Sequence, residues 1–369
     1  MKYQKTILYI GLFFGALVLT ISCGSDDSDV VVEDETSVEE GRSLQIENLY
    51  DSQVAPLQVE HISATRTLVE AAIAFEEQPS EATLVTLKET WLEAFMLWEE
   101  MEIYNIGVIR SSFIHSQIHE WPANIDYIEE SVSGDETIDE AYIISSGSSS
   151  KGYGAIEYLL FNATDAEVLT AMTTGDNAQN RLDYLVAVAA NLSTNATSLQ
   201  ELWVATETSF KERLESGVNG SQNIIVNGVI AGLETIKITK LEQIINSTEN
   251  PELQLEAYYS EKSREAILVN LEALRLTYTG NFDGEGFGME DYLVEVLDRS
   301  ELNESILATF DTAIALFNET EESLRTLAED DPEKIVALRD VVTEIIALIK
   351  NDYSSAASIV VTFNDNDGD

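Results

Sequence analysis

The spacing of apolar residues is the feature that most limits the folds open to this chain. Between residues 80 and 104, large apolar side chains recur every three or four positions, at Leu84, Leu87, Trp91, Phe95 and Trp98. This period places them on one face of an α-helix. Ser80, directly before the run, is a residue type that caps helix N-termini. The segment is therefore predicted to form a long amphipathic helix.

Helical spacing continues through most of the chain. Apolar residues do not alternate as they do in strands, and proline occurs only five times in 369 residues. Long helices joined by short turns are typical of antiparallel bundles. We therefore predict an all-α fold of two packed antiparallel helical-bundle halves. Residues 177–214 are predicted to form one long helix or two joined helices.

Changes in composition divide the chain into four predicted segments. Residues 1–22 are interpreted as a lipoprotein signal peptide, and residues 23–42 as an acidic disordered tether with too few apolar groups to fold. Residues 43–216 are predicted to form the helical half that carries the sequence motifs. Residues 217–369 are predicted to form the second half, with an acidic C-terminal tail. The boundary is placed in the polar, glycine-containing stretch ESGVNGSQN.

The N-terminal segment predicts export and lipid anchoring. Lys2 and Lys5 precede an apolar run that is short for a membrane span. The run ends at the single cysteine, Cys23. A small residue before this cysteine resembles a bacterial lipobox, although Thr20 stands where leucine is usual and Leu19 is one place off. We predict a cell-envelope protein anchored through Cys23 to the outer membrane, on its periplasmic or outer face. The alternative is an uncleaved signal anchor.

Acidity excludes one class of partner. The formal net charge is −47, so the surface repels nucleic acid, and we predict no nucleic-acid partner. The same charge attracts cations, including metal ions, although keeping an exported protein soluble is the simpler explanation. The acidic stretch directly after Cys23 resembles the export signal of surface lipoproteins in Bacteroidetes.

One carboxylate and two imidazoles are the first candidate site residues. Glu157 lies inside the apolar run of GYGAIEYLLF, where a buried charge needs a cation, hydrogen-bond donors or a metal. The alternatives are a head group that reaches water, or a buried glutamate bonded to a tyrosine or amide. His115 and His119 are four residues apart, which would put both on one side of a helix and suit a metal. They could equally be exposed, or hydrogen-bonded within a core.

Several stretches together resemble the imelysin family, also called the M75 peptidases. WPANIDYIEE is followed some thirty residues later by GYGAIEYLLF, and further similar stretches are WLEAFMLWEEMEIYNIG, YYSEKSREAILVNLEALRLTYTG and VVTEIIALIKNDYSSAASIVVTFNDNDGD. They cover most of the chain after residue 43, and the last resembles the form found in Bacteroidetes lipoproteins. The resemblance implies an all-helical envelope protein linked to iron uptake, and some members were described as peptidases.

The family motifs are incomplete in this chain. The signature G-x-H-x-x-E reads Gly152, Tyr153, Gly154, Ala155, Ile156, Glu157. A second stretch, R-I-D-x-W-P, reads QIHEWP at residues 117–122. One motif thus lacks its histidine and the other gains one. We hypothesise that His119 supplies the imidazole missing at Gly154 and pairs with Glu157, the alternative being a degenerate site with a structural role.

The motifs and the resemblance define the candidate site. The binding-site candidates are His115, His119, Glu120, Trp121, Gly152, Tyr153 and Glu157. A divalent metal (iron, zinc or calcium) is the candidate cofactor, with His115, His119 and Glu157 as its ligands. No catalytic residue is assigned.

Three functions remain open on the sequence alone. The first is an envelope protein that binds a metal or iron species, or a small ligand, in a cleft between the helical halves. The second is an M75-type metallopeptidase, and the third a non-catalytic scaffold of an uptake system with an outer-membrane receptor as partner. We favour binding over catalysis, because Gly154 cannot ligate a metal or move a proton and catalytic zinc ordinarily has three protein ligands.

Overall fold

The computed structural model describes residues 36–247, 254–282 and 284–362, and Thr36 begins a single compact unit. The described residues form helices and turns without any β-strand, so the prediction of an all-α fold is confirmed. In the same residues, no helix combines the length and apolar character needed to cross a membrane. The signal peptide, Cys23 and the acidic C-terminal tail from residue 363 lie outside the described residues, so those predictions stay predictions.

The first part of the chain forms ten α-helices among the described residues. In chain order these are α1 (Val38–Asn48), α2 (Ala55–Glu77), α3 (Glu81–Glu102), α4 (Gly107–Ser112), α5 (Ile114–Ile118), α6 (Ile125–Ser133), α7 (Glu140–Ser145), α8 (Gly152–Phe161), α9 (Asp165–Thr173) and α10 (Ala178–Glu212). Helix α2 packs between α3 and α10, and α8 rests on α3 and α10. Residues 177–214 were predicted to form one long helix or two joined helices. The structure shows a single helix of 35 residues there, α10.

Eight further α-helices follow in the described remainder of the chain. They are α11 (Ser221–Glu234), α12 (Gln243–Asn246), α13 (Ser263–Thr279), α14 (Met289–Asp291), α15 (Ser300–Glu319), α16 (Leu324–Asp330), α17 (Pro332–Ala347) and α18 (Ser354–Ala356). Helix α13 packs on α15 and also reaches back to α3, and α15 packs on α17. Helix α13 thus connects the later helices to the earlier ones.

Local sequence explains where α1 and α3 begin. Ser80 caps α3 by accepting a hydrogen bond from the Thr83 amide at 3.3 Å, as predicted. Ser37 does the same for α1, with the Glu40 amide as donor at 3.2 Å. The helix therefore starts at Val38, and the prediction that the disordered tether extends to residue 42 is wrong there. An N-cap serine followed by glutamates in the first turn favours a helix despite the acidic composition.

The apolar stripe of α3 is buried as its spacing predicted. Its five large side chains are all 0–1% exposed: Leu84, Leu87, Trp91, Phe95 and Trp98. The indole of Trp91 also donates a hydrogen bond to the Tyr153 carbonyl oxygen at 3.2 Å, which ties α3 to the start of α8. This helix therefore forms a fixed wall beside the motif segment.

Buried apolar residues form two clusters. The first draws chiefly on residues 46–210 and the second on residues 226–357. The boundary predicted at residues 216 and 217 stays a prediction, since the described chain after Thr36 is a single compact unit. Within it, a π-helical segment (Thr235–Glu242) extends α11 alongside α17. This segment, called the 235–242 segment below, carries part of the candidate site.

Candidate functional site

A cleft of about 300 Å³ lies between helices of the two apolar clusters. One wall comes from the end of α3 and from residues 105–119, and the other from α11 and the 235–242 segment. The walls approach closely at Gly228, where a Cβ would lie 2.5 Å from Ile106 Cγ2. The polar lining includes Glu102, Asn105, His115, Ser116, His119 and Asn270. The chain thus offers a polar cleft of the size of a small ligand.

A buried ionic cluster adjoins this cleft, and two of its members, Glu102 and His119, line the cleft. His119 Nε2 is 2.9 Å from Glu256 Oε1, and Lys240 Nζ is 2.7 Å from the other oxygen of Glu256. Lys240 Nζ also lies 2.8 Å from Glu99 Oε2 and 2.6 Å from Glu102 Oε1. The cluster therefore joins α3, the QIHEWP stretch, the 235–242 segment and the turn before α13.

Burial and charge pairing together set the protonation of the cluster. Desolvation raises the pKa of Glu256, but Lys240 and His119 outweigh it, so the pKa falls to about 2. Desolvation lowers the pKa of Lys240, but the surrounding carboxylates outweigh it and hold that pKa well above its ordinary value. The pKa of Glu99 is raised well above its ordinary value, first by desolvation and then by Glu102 and Glu256, with Lys240 opposing. Glu256 and Lys240 are thus held charged, whereas Glu99 favours its proton.

Glu157 is buried, with 5% of its surface exposed. Its Oε1 accepts hydrogen bonds from the Ser260 amide at 2.8 Å and the Ser260 hydroxyl at 2.7 Å. Desolvation raises the pKa of Glu157 to about 7, against the Ser260 hydrogen bonds and the influence of His119. The hypothesis that Glu157 pairs directly with His119 is wrong, because the turn before α13 supplies Glu256 to the imidazole and Ser260 to the carboxylate.

The space beside Gly154 is nevertheless shared with His119. A Cβ at Gly154 would lie 4.0 Å from His119 Cε1 and 3.3 Å from the Glu120 carbonyl oxygen. Gly152 is more constrained, because its φ is +69° and a Cβ there would lie 2.0 Å from the Ile118 carbonyl oxygen. Both motif glycines therefore let residues 118–120 pass close to the start of α8, which places the His119 ring next to position 154.

His115 occupies a different environment from His119. Helix α5 ends at Ile118, and His119 is extended, with φ −148° and ψ 116°. The helical spacing that would place both imidazoles on one side is thus interrupted. The His115 ring packs against Trp98 at 4.7 Å between centroids, and desolvation, with a smaller effect of His61, lowers its pKa to about 3. His115 is a buried neutral imidazole beside the cleft.

Tyr153 belongs to the same neutral environment. Its hydroxyl donates to the Ala94 carbonyl oxygen at 2.9 Å and accepts from His61 Nε2 at 2.8 Å. Desolvation lowers the pKa of His61 to about 3. The aromatic ring of Trp98 lies between His61 and His115, with centroid distances of 5.8 and 4.7 Å. We call these four residues the neutral pocket.

Trp121 and Glu120 lie at the edge of the site. Trp121 lines a second, small cavity of about 20 Å³ together with Glu157, Gly154 and Tyr258. Glu120 is partly exposed, and its backbone carbonyl, described above, is the part that approaches Gly154. The structure thus divides the predicted candidates between the cleft, the neutral pocket and this small cavity.

Sequence reasoning missed most residues of the ionic cluster and of the Glu157 site, among them Glu99, Lys240, Glu256 and Ser260. A usable signal existed for two of them. Glu99 follows Trp98 and lies four positions after Phe95, so it falls on the apolar face of α3, just as Glu157 does on α8. Lys240 likewise follows Ile236 by four positions. Glu256 and Ser260 lie in a turn, where periodicity carries no information.

Comparison with known proteins decides the family. Residues 59–351, more than half of the chain, match the family described as Imelysin, peptidase M75. The chain belongs to the imelysin family. A curated relative, iron-regulated protein A of Synechococcus elongatus (strain ATCC 33912 / PCC 7942 / FACHB-805), is 24% identical over 207 residues, which are 53% of this chain and 53% of that protein. The match therefore spans about half the length of this relative.

Solved structures show that the imelysin fold extends over most of the chain. A putative iron-regulated protein A precursor from Parabacteroides distasonis ATCC 8503 superposes with a TM-score of 0.74 at 17% identity, covering 88% of this chain and 96% of that one. An imelysin-like protein from Psychrobacter arcticum 273-4 gives 0.73 at 17% identity, covering 88% and 98%. These likenesses establish the fold, and the relatives' names link the family to iron regulation.

The peptidase name of the family raises the question of a metal. Among the described residues, one group of three potential ligands lies within metal-binding range: Glu99, His119 and Glu256, whose ligand atoms are all within 4.8 Å of one another. His115 and Glu157 are not in this group, so the predicted trio of His115, His119 and Glu157 is not assembled. Lys240 already contacts both carboxylates of the group. The residues present therefore have suitable ligand chemistry but do not fit a metal in this arrangement.

Proposed function

We propose that this imelysin is a cell-envelope binding protein that takes an iron complex or another small ligand in the cleft, as part of iron uptake. The observation that carries the proposal is a cleft of about 300 Å³ whose walls come from both apolar clusters. A ligand held there would contact α3 and α11 at once, so its binding would stabilise their packing. The iron link is supported by the names of the relatives.

The polar lining of the cleft supports a ligand with hydrogen-bond donors. Asn105 Oδ1 is buried and accepts no hydrogen bond from the described residues. A buried acceptor without a donor is costly, and a ligand can supply that donor. Trp98 and Ile103 add apolar surface beside it. The cleft thus combines a polar lining with some apolar surface, and polar groups of this kind fix the orientation of a ligand in small-molecule sites.

Catalysis is not needed to explain the site. Lys240 contacts two of the three potential metal ligands, Glu99 and Glu256, and Gly154 carries no group that could move a proton. The envelope location is supported by residues 1–22 and Cys23, and by the acidic surface. On this view the lipid anchor holds the chain at the outer membrane, where an uptake receptor could receive the ligand.

A cleft-filling variant tests the proposal. Ala231 lines the cleft, and Ala231→Trp should fill it, whereas Ala308→Trp places the same side chain on the exposed face of α15. We expect haem or ferric citrate to raise the melting temperature of the purified full-length chain. At a hundredfold excess over the dissociation constant the stabilisation should be about 2.7 kcal/mol.

The two variants then separate the outcomes. Ala231→Trp should lose the shift and Ala308→Trp should keep it, as measured by differential scanning fluorimetry. Binding in this cleft would be contradicted if neither haem nor ferric citrate raised the melting temperature of the wild type. It would also be contradicted if the melting temperature rose equally in the two variants. Digestion of casein by the wild type would instead favour the metallopeptidase.

A further inference from the structure

The ammonium of Lys240 is enclosed by oxygen atoms. Nζ lies 2.8 Å from Glu99 Oε2, 2.6 Å from Glu102 Oε1, 2.7 Å from Glu256 Oε2 and 2.8 Å from Asn270 Oδ1. An ammonium has three N–H donors, so four oxygens exceed what it can serve with separate hydrogen bonds. These surroundings resemble the oxygen shell of a bound cation.

The ligand atoms beside Lys240 are not fully used by hydrogen bonds. Glu99 is 0% exposed, yet no described residue donates a hydrogen bond to its Oε1. Three glutamate carboxyl groups face one ammonium, with His119 contributing a further contact to Glu256. A buried carboxyl oxygen without a hydrogen-bond partner is costly, whereas a metal ion could use it as a ligand. The cage of Glu99, Glu102, Glu256 and Asn270 therefore has the composition of a cation site.

The backbone of the 235–242 segment places Lys240 inside this cage. The segment is π-helical, and such wider turns occur frequently at functional sites. Lys240 is 3% exposed, whereas Lys237 on the same segment points to the surface, with its side chain 28% exposed and Nζ 3.8 Å from Glu242. Two lysines three positions apart thus differ completely in their surroundings.

We propose that Lys240 is a built-in cation that occupies a divalent-metal site. With Lys240 in place, the ammonium holds the carboxyl groups of α3 and of the turn before α13 together beside the cleft, and no free metal ion enters. Without it, Glu99, Glu256 and His119 form a carboxylate and imidazole site suited to a first-row divalent ion such as Mn²⁺. This inference goes beyond ligand binding in the cleft and does not depend on it.

Replacing the lysine tests the proposal directly. Lys240→Met keeps the length of the side chain and removes its charge, and Lys237→Met is the matched control. We expect the full-length Lys240→Met chain to bind a single Mn²⁺ ion, at least about tenfold more tightly than the wild type. Isothermal titration and metal content by mass spectrometry measure this. The additional change Glu256→Gln should remove the gained site, and Lys237→Met should behave as the wild type.

Folding is monitored in the same experiment. If Lys240→Met loses helical circular dichroism without metal, added Mn²⁺ should restore it. The proposal is overturned if the folded variant binds no more tightly than wild type or Lys237→Met, or if it stays unfolded with Mn²⁺ present. It is equally overturned if the wild type holds a divalent ion that Glu99→Gln releases. Binding of haem or ferric citrate in the cleft is tested separately with Ala231→Trp. The proposals of ligand binding in the cleft and of Lys240 as a built-in cation can therefore fail independently.

Discussion

Two buried polar centres meet at neighbouring residues of α3 and differ in charge. Trp98 belongs to the neutral pocket with His61, and Glu99 belongs to the cage around Lys240. Burial is nearly equal, since His61 and Glu99 are 0% exposed and Lys240 is 3% exposed. Desolvation alone lowers the pKa of His61 to about 3, whereas carboxylates keep the pKa of Lys240 raised. Equal burial therefore gives opposite charge states, and the partners make the difference.

The largest expected effect comes from breaking the charged centre. Glu256→Gln removes a carboxylate that pairs with both His119 and Lys240, and removing one member of a buried pair costs roughly 3–5 kcal/mol. Glu99→Gln should cost clearly less, because the raised pKa of Glu99 already favours its neutral form. Urea unfolding at neutral pH measures both. Equal losses would show that Glu99 and Glu256 do not differ in charge.

Glu157 provides an intermediate case, a buried carboxylate with donors but without a directly bonded cation. Its folded pKa of about 7 exceeds the ordinary value of 4.5, so the folded state keeps a proton that the unfolded state has lost. The proton that Glu157 keeps in the folded state therefore contributes to the free energy of unfolding below pH 4.5. This contribution, about 3 kcal/mol, is lost as the pH rises through 7. Relative to the wild type, Glu157→Gln should gain this amount between pH 4 and pH 8.

The comparison needs unfolding free energies of both chains across that range. The amide introduced by Glu157→Gln keeps an oxygen that can accept from Ser260, so the hydrogen bonds are a matched feature of the two chains. Parallel pH curves for wild type and Glu157→Gln would contradict the raised pKa.

The neutral pocket should show the opposite pH dependence, with a smaller effect in the accessible range. The folded pKa of His61, about 3, lies below the ordinary value of 6.5, so the unfolded state takes up a proton first as the pH falls. Stability is thus lost below pH 6.5, by about 2 kcal/mol for this residue at pH 5. His61→Gln should remove that part of the stability loss at acid pH. Thermal unfolding at pH 7 and pH 5 measures it, and an unchanged difference would contradict a buried neutral His61.

Much of the fold could be predicted because helical periodicity is local. The stripe from Leu84 to Trp98 specified both a helix and its buried face, and Ser80 specified where it begins. The apolar neighbours of Glu157 left burial or an edge position open, and the structure buries it, with 5% of its surface exposed. The start of α1 was missed, because acidic composition was weighed over the capping serine at position 37.

The site was predicted less well, for a physical reason. His119 and Glu256 are 137 residues apart in sequence, and Ser260 is 103 residues from Glu157. No local pattern states which of 67 acidic residues will lie beside a given imidazole. The pairing of His115 with His119 was wrong because a helix that ends at Ile118 does not carry its period to the next residue.

The amino-acid sequence by itself determined the helices, their apolar faces and the family, since each depends on residue types at short spacing. Only the tertiary structure decided which buried groups are charged. Coulomb energy depends on the distance between groups and on the polarity of the medium, and both are set when α3, α5, the 235–242 segment and the turn before α13 come together. Glu99, Lys240 and Glu256 are ordinary surface residue types until that packing removes them from water.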